Sequence, residues 1–210
     1  SNSNSKYLII LVGLPACGKS TFGKRLKQDL EKNANLNVGI FNAGNVRRNF
    51  LNSSNVNQNA NYFDFNNSET SNQREFFAKI ALDNCLSSLI FNQIDIGLLD
   101  ATNSTFKRRN NLFNSIQSKL ALFPSLRKNL NVLLIDIKTS SLKNWKFNIE
   151  LKLTSSPDYL NNNINHKDAL IDFIKRTKNY LSAFQPVEPT EIKKYNWNYI
   201  LIDNSGDSYY

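Results

Sequence analysis

The stretch "YLIILVGLPACGKS", residues 7–20, decides the fold. Its first half, Tyr7 to Val12, is a short continuous apolar run, the pattern of a strand buried on both faces of a parallel sheet. Its second half fits G-x-x-x-x-G-K-[ST] at Gly13, Gly18, Lys19 and Ser20. The following residues set Phe22, Leu26 and Leu30 at helical spacing. Strand, glycine-rich loop and helix in that order make a phosphate-binding loop. The two glycines let successive backbone N–H groups turn toward one phosphate. The helix beginning near Lys19 adds the positive end of its dipole. Lys19 is expected to reach the β- and γ-phosphates of ATP, and the Ser20 hydroxyl to ligate Mg²⁺. Ala16, Cys17 and Thr21 are expected to complete the nucleotide contacts. Cys17 is read as neutral filler, although the dipole and Lys19 could activate a thiol there.

Working outward, strands are predicted at 37–42, 94–100, 131–137 and 199–203. Helices are predicted at 69–91, 105–122 and 166–184, with a short one at 141–150. The Asn-rich segment 51–67 lacks periodicity and reads as an exposed excursion. Strands alternating with helices give an α/β fold of the P-loop NTPase type, adenylate-kinase-like. Its sheet is expected to be mainly parallel and five- or six-stranded, with helices on both faces. Residues 1–6 are expected to be a disordered tail or an expression remnant, and 7–210 one kinase domain.

The 210 residues suit one such domain. No apolar run approaches the roughly eighteen residues that cross a bilayer, so no membrane partner is expected. Cys17 and Cys85 are the only cysteines, which fits a reducing, cytoplasmic location. The chain has no methionine and is expected to be an excised or processed piece of a longer one. Its net charge of +9 favours anionic partners. The arginines are scattered, which suits a phosphate pocket assembled by folding better than a nucleic-acid stripe. His166, the one histidine, is given no role.

Asp100 ends the apolar strand that contains Leu98 and Leu99. That is the place of a Walker-B acid, which would complete the Mg²⁺ site with Ser20. A cap of the following helix is the plainer alternative, since Thr102 to Thr105 are cap formers too.

Taken together, these segments resemble the kinase domain of the 6-phosphofructo-2-kinase/fructose-2,6-bisphosphatase family. "GLPACGKS" resembles its Walker A, and "FNAGNVRR" (41–48) its F-N-x-G-x-x-R-R segment. "NYFDFNN" (61–67) resembles the aromatic-acidic stretch that follows. "LLDATNSTFKRR" (98–109) resembles F-D-A-T-N-T-T-R-E-R-R, with Phe106 where an Arg stands. "SSPDY" (155–159) and "DFIKRTKNY" (172–180) match two further blocks in order. The resemblance implies phosphorylation of fructose 6-phosphate at its 2-hydroxyl by ATP with Mg²⁺. It implies fructose 6-phosphate contacts at Arg48, Arg74, Thr102, Arg108, Arg176 and Tyr180, and a nucleotide contact at Asn148. Guanidinium forks suit a sugar phosphate, because Arg gives bidentate contacts that Lys cannot. A catalytic Lys of the family falls on Leu153, with Lys152 one residue earlier; Lys152 is the candidate for its role beside Lys19 and Asp100. A loop could absorb that offset, whereas a strand would turn the amine away. The family's bisphosphatase signature R-H-G does not occur. The alternatives are a weak or inactive module that binds nucleotide or sugar phosphate within a larger protein, and a polynucleotide 5′-kinase. Further domains of a longer chain and a homodimer are open as partners.

Overall fold

β1 (Lys6–Val12) is the middle strand of a five-stranded sheet with the order β2-β3-β1-β4-β5. The computed structural model describes residues 5–51, 58–160 and 164–204. The other strands are β2 (Val38–Asn42), β3 (Ile96–Asp100), β4 (Leu130–Lys138) and β5 (Asn198–Asp203). All four pairings are parallel. α1 (Lys19–Ala34), α2 (Ala43–Leu51), α3 (Ser68–Ile90) and α4 (Phe106–Leu122) connect and flank the first strands. α5 (Pro124–Asn129) leads into β4. α6 (Leu142–Ser155), α7 (Pro157–Leu160), α8 (His166–Ala183) and α9 (Pro189–Tyr195) lie between β4 and β5.

The period of two along β1 sorts its side chains between two cores. Leu8, Ile10 and Val12 pack with Leu82, Leu86 and Leu89 of α3 and Leu112 and Ile116 of α4. Ile9 and Leu11 pack on the opposite face with Phe22, Leu26 and Leu30 of α1. Burial on both faces explains why β1 and β3 read as unbroken apolar runs. Asp203 and its neighbours close the sheet as an edge strand with mostly exposed side chains.

Three expectations are corrected. The segment 51–67 is not an exposed excursion throughout: Ala60–Phe63 form a single 3-10 turn, and Ala60, Tyr62 and Phe63 are buried. Distant partners hold that turn. Asp172 accepts the Ala60 N–H at 2.6 Å, and the Asn179 amide donates to the Ala60 carbonyl at 3.0 Å. Residues 52–57 of the same segment lie outside the described residues. The helix expected at 141–150 continues to Ser155. Helices α2, α5, α7 and α9 are additional; each is too short to display a period. α5, α7 and α9 all begin with Pro, whose fixed φ suits a first helical turn and was the available signal. The strand also begins at Lys6, inside the expected tail. Among the described residues, no helix is long and apolar enough to cross a membrane.

Candidate active site

The loop between β1 and α1 sits at the carboxyl end of the sheet, where open parallel sheets bind ligands. Gly18 caps α1 with a φ of 93°, left-handed backbone that glycine adopts without strain. The buried Lys19 amine donates to the Gly13 and Leu14 carbonyls at 2.8 and 2.9 Å. Gly13 donates its own N–H to the Thr102 carbonyl at 3.0 Å, tying the loop to the turn after β3. Two amides hold the loop from outside. Asn148 of α6 donates to the Ala16 carbonyl at 2.9 Å, and Asn204 to the Cys17 carbonyl at 3.4 Å.

Asp100 is 5% exposed and accepts two hydrogen bonds on Oδ2. One comes from Ser20 Oγ at 2.9 Å and the other from the Asn42 amide at 2.9 Å. The sheet order explains the meeting: β3 lies between β1 and β2, and Asn42 pairs with Asp100 in register. Ser20 and Asp100 offer a hard hydroxyl and a hard carboxylate at the cavity wall. Mg²⁺ binds through one or two protein oxygens and completes its shell with phosphates and water, so this donor pair fits it. Among the described residues, no group of three or more His, Cys, Asp or Glu could cage a metal.

Ala16, Gly18, Lys19, Ser20, Thr21 and Asn148 line one cavity of about 580 Å³. Gly13 and Cys17 lie beneath it: Cys17 is in the core packed against α1, and Gly13 packs on the Ile137 carbonyl. Any contact they make to a ligand is through the backbone. Arg48, Arg74, Thr102, Arg108, Arg176 and Tyr180 line the same cavity. The size suits small-molecule sites generally, about 300–1,000 Å³.

The arginine end is organised around Asp158, on α7. Both its oxygens lie on Nη2 of Arg47, at 2.7 and 2.8 Å. Nη1 of Arg48 donates to Oδ1 at 3.2 Å, and Nη1 of Arg176 to Oδ2 at 2.8 Å. Burial alone would raise the Asp158 pKa, but the Arg176 and Arg47 guanidiniums outweigh it and hold it well below the usual carboxylate range. Phe63 lies over Arg176, ring centroid to Cζ 3.7 Å, and over Arg47 at 4.9 Å. Arg74 is carried by the Tyr62 carbonyl and lies 4.7 Å from the Phe65 ring centroid. Glu75 accepts from Nε of Arg108 at 2.8 Å and from Asn111 at 3.1 Å. Arg109 turns the other way and is fully buried against Glu191, at 2.9 and 3.0 Å.

Lys152 lies on a helix rather than a strand, and it lines the cavity between the two ends. Burial lowers its pKa, Lys19 adds to the fall, and Asp100 opposes it. The strand setting, in which the one-residue offset would turn the amine away, does not arise here.

Four contributors escaped the sequence. Asn42 and Asp158 stand inside motif blocks, "FNAG" and "SSPDY", without a role having been assigned to them. Phe63 likewise stands inside "NYFDFNN" with no role assigned, and Glu75 had no signal beyond its neighbour Arg74. His166 pairs with Glu150 at 2.8 Å on the surface, away from the cavity.

A parallel sheet, a phosphate-binding loop and a hydroxyl–carboxylate pair at its mouth define a P-loop kinase fold. Among solved structures, Chaetomium thermophilum Kti12 in complex with ADP-AlF3 superposes with a TM-score of 0.58 at 13% identity, covering 96% of this chain and 91% of that one. The Mycobacterium tuberculosis APS kinase CysC, in complex with AMPPNP and APS, gives 0.51 at 14% identity, covering 96% and 91%. The chain belongs to the 6-phosphofructo-2-kinase family, whose sequence profile matches residues 1–210. It is 32% identical over 195 residues to 6-phosphofructo-2-kinase 1 of Saccharomyces cerevisiae, covering 92% of this chain and 22% of that protein. The curated relatives are much longer; the chain spans from 22% to 40% of their lengths.

Proposed function

We propose that this chain transfers the γ-phosphoryl group of ATP to the 2-hydroxyl of fructose 6-phosphate, giving fructose 2,6-bisphosphate. The observation that carries the reading is a single cavity with phosphate-loop chemistry at one end and arginines on separate helices at the other. Lys19 and the loop N–H groups hold the β- and γ-phosphates, and Asn148 and Asn204 fix the loop's shape. Ser20 and Asp100 would hold Mg²⁺, which when bound neutralises charge on the phosphate oxygens. Arg48, Arg74, Arg108 and Arg176 hold the 6-phosphate of the sugar, with Thr102 and Tyr180 beside them. Lys152, between the two ends, stabilises the equatorial oxygens of the group in transit. The contribution of these residues is positioning and electrostatics, as in phosphoryl transfer generally. Lys152 at the cavity wall supports turnover over a module that only binds. Arg47 and Arg109 are buried in ion pairs with Asp158 and Glu191, so neither is offered to a nucleic acid at the surface. A cytoplasmic setting, and further domains in the whole protein, belong to the same proposal.

The test is incubation with ATP, Mg²⁺ and fructose 6-phosphate, with Lys19→Ala as control. An acid-labile sugar 2-phosphate is expected. Absence of product above the control, or preferential labelling of a 5′-hydroxyl oligonucleotide, would overturn it.

A further inference from the structure

The arginine end contains a carboxylate where a phosphate is to bind, and its geometry is not that of a competitor. Arg47 is buried, lies under the Tyr62 and Phe63 rings, and grips both oxygens of Asp158 through one nitrogen. Each oxygen is then shared with one cavity arginine. Oδ1 takes Nη1 of Arg48 from α2, and Oδ2 takes Nη1 of Arg176 from α8. Asn45 accepts from the other terminal nitrogen of Arg48, and Phe63 covers one face of Arg176. Two long side chains from helices far apart in sequence are thus held by one short, buried acid.

We propose that Asp158 is a positioning residue for the acceptor's phosphate: anchored by Arg47, it sets the guanidinium forks of Arg48 and Arg176 and so fixes the affinity for a phosphomonoester; this rests on reading that end of the cavity as the acceptor site. Two effects oppose each other. Three guanidiniums around one carboxylate leave an excess of two positive charges, and removing the carboxylate would raise it, favouring anions. Removing it also frees two arginines, each of which must then be immobilised again when phosphate binds. Fork geometry is what makes arginine selective for phosphate, and ordering two such side chains costs roughly ten-fold in affinity or more. Orientation outweighs the added charge, because the arginines share one anchor and lose their alignment together.

The experiment compares the wild-type chain with Asp158→Asn and Asp158→Glu. Inorganic phosphate binding is measured by calorimetry, with the nucleotide site saturated by a non-hydrolysable ATP analogue and Mg²⁺. KM for fructose 6-phosphate and KM for ATP are measured in parallel. Asp158→Asn is expected to weaken phosphate binding about ten-fold and to raise the acceptor KM similarly, with the ATP KM within about two-fold. Asp158→Glu, which keeps the charge but displaces it by one methylene, is expected to weaken phosphate several-fold with nucleotide affinity unchanged. Equal or tighter phosphate binding by Asp158→Asn would overturn the proposal in favour of simple charge. Failure of the wild type to bind phosphate would also overturn it, as would parallel loss of nucleotide and phosphate in both variants. Should Asp158→Asn alone fail to fold, Asp158→Glu decides: weakened phosphate supports the proposal and unchanged phosphate overturns it. A wild type that binds phosphate as described but does not phosphorylate fructose 6-phosphate would sink the proposed function and leave the role of Asp158 standing.

Discussion

Lys152 and Leu153, adjacent on α6, face different surroundings: Lys152 lines the cavity, and Leu153 is 6% exposed among Ala16, Ile149, Tyr159 and Phe173. One residue along a helix turns a side chain by about 100°. Lys152→Ala should therefore leave stability nearly unchanged and lower kcat on the order of 10²-fold. Leu153→Lys should instead place a charge in an apolar cluster and cost several kcal/mol, seen as a lower urea midpoint. The exchange Lys152→Leu with Leu153→Lys should lose both fold and turnover. A stable, active exchange variant would contradict the placement of α6.

The depressed Lys152 pKa has a kinetic sign. Burial comes first, Lys19 adds to it, and Arg176 and Arg48 contribute, against Asp100. The ammonium is then lost at lower pH than an ordinary lysine, whose pKa is about 10.4. The alkaline limb of kcat should fall below that value. Lys152→Arg, charged throughout, should move the limb upward. Identical alkaline limbs in the two proteins would assign the limb to another group.

Asp158 sets the acid side. Its folded pKa lies below the unfolded value of about 3.9, so its stabilisation is present above that value and is lost as pH falls through the folded one. Asp158→Asn should cost about 3–5 kcal/mol at neutral pH, because it leaves buried guanidiniums unpaired. The difference from wild type should narrow only below about pH 4. Denaturant melts at several pH values measure it, and a gap constant down to the most acidic pH tested would refute the assignment.

Gly97 in β3 tests the packing of sheet on helix. A Cβ there would press into Cys85 Sγ of α3, both residues being buried. Gly97→Ala should cost about 1–3 kcal/mol. Adding Cys85→Ala removes the obstructing sulfur and should recover much of that loss, a coupling of about 0.5–3 kcal/mol. Strictly additive effects would mean that α3 shifts instead.

Legibility in the sequence followed the reach of each interaction. β1, the loop and α1 are contiguous, so strand, glycines and helix could be read in one pass. Asp100 was legible because it ends an apolar strand. Asn42 was not, since its bond to Asp100 depends on β2 lying beside β3. Asp158 draws its partners from 111 and 18 residues away, and no local pattern encodes that convergence. The burial of Tyr62 and Phe63 was hidden for the same reason: an Asn-rich stretch has no period, and its anchors, Asp172 and Asn179, lie on α8. The direction of Lys152 turned on whether α6 stops at residue 150 or runs on to Ser155.

The clusters that brace the arginine end contain no strand residue. One joins Leu51, Tyr62, Phe63, Phe77 and Tyr180, and another joins α6, α7 and α8 around Ala16. The nucleotide end, by contrast, is fastened to the strand termini themselves. The two ends thus rest largely on different supports, joined where α6 packs on Ala16 and Asn148 reaches the loop. A protein engineer could recut the cluster around Tyr62, Phe63 and Tyr180 to admit a different phosphorylated acceptor while keeping the strand-borne Asn42 and Asp100 in place.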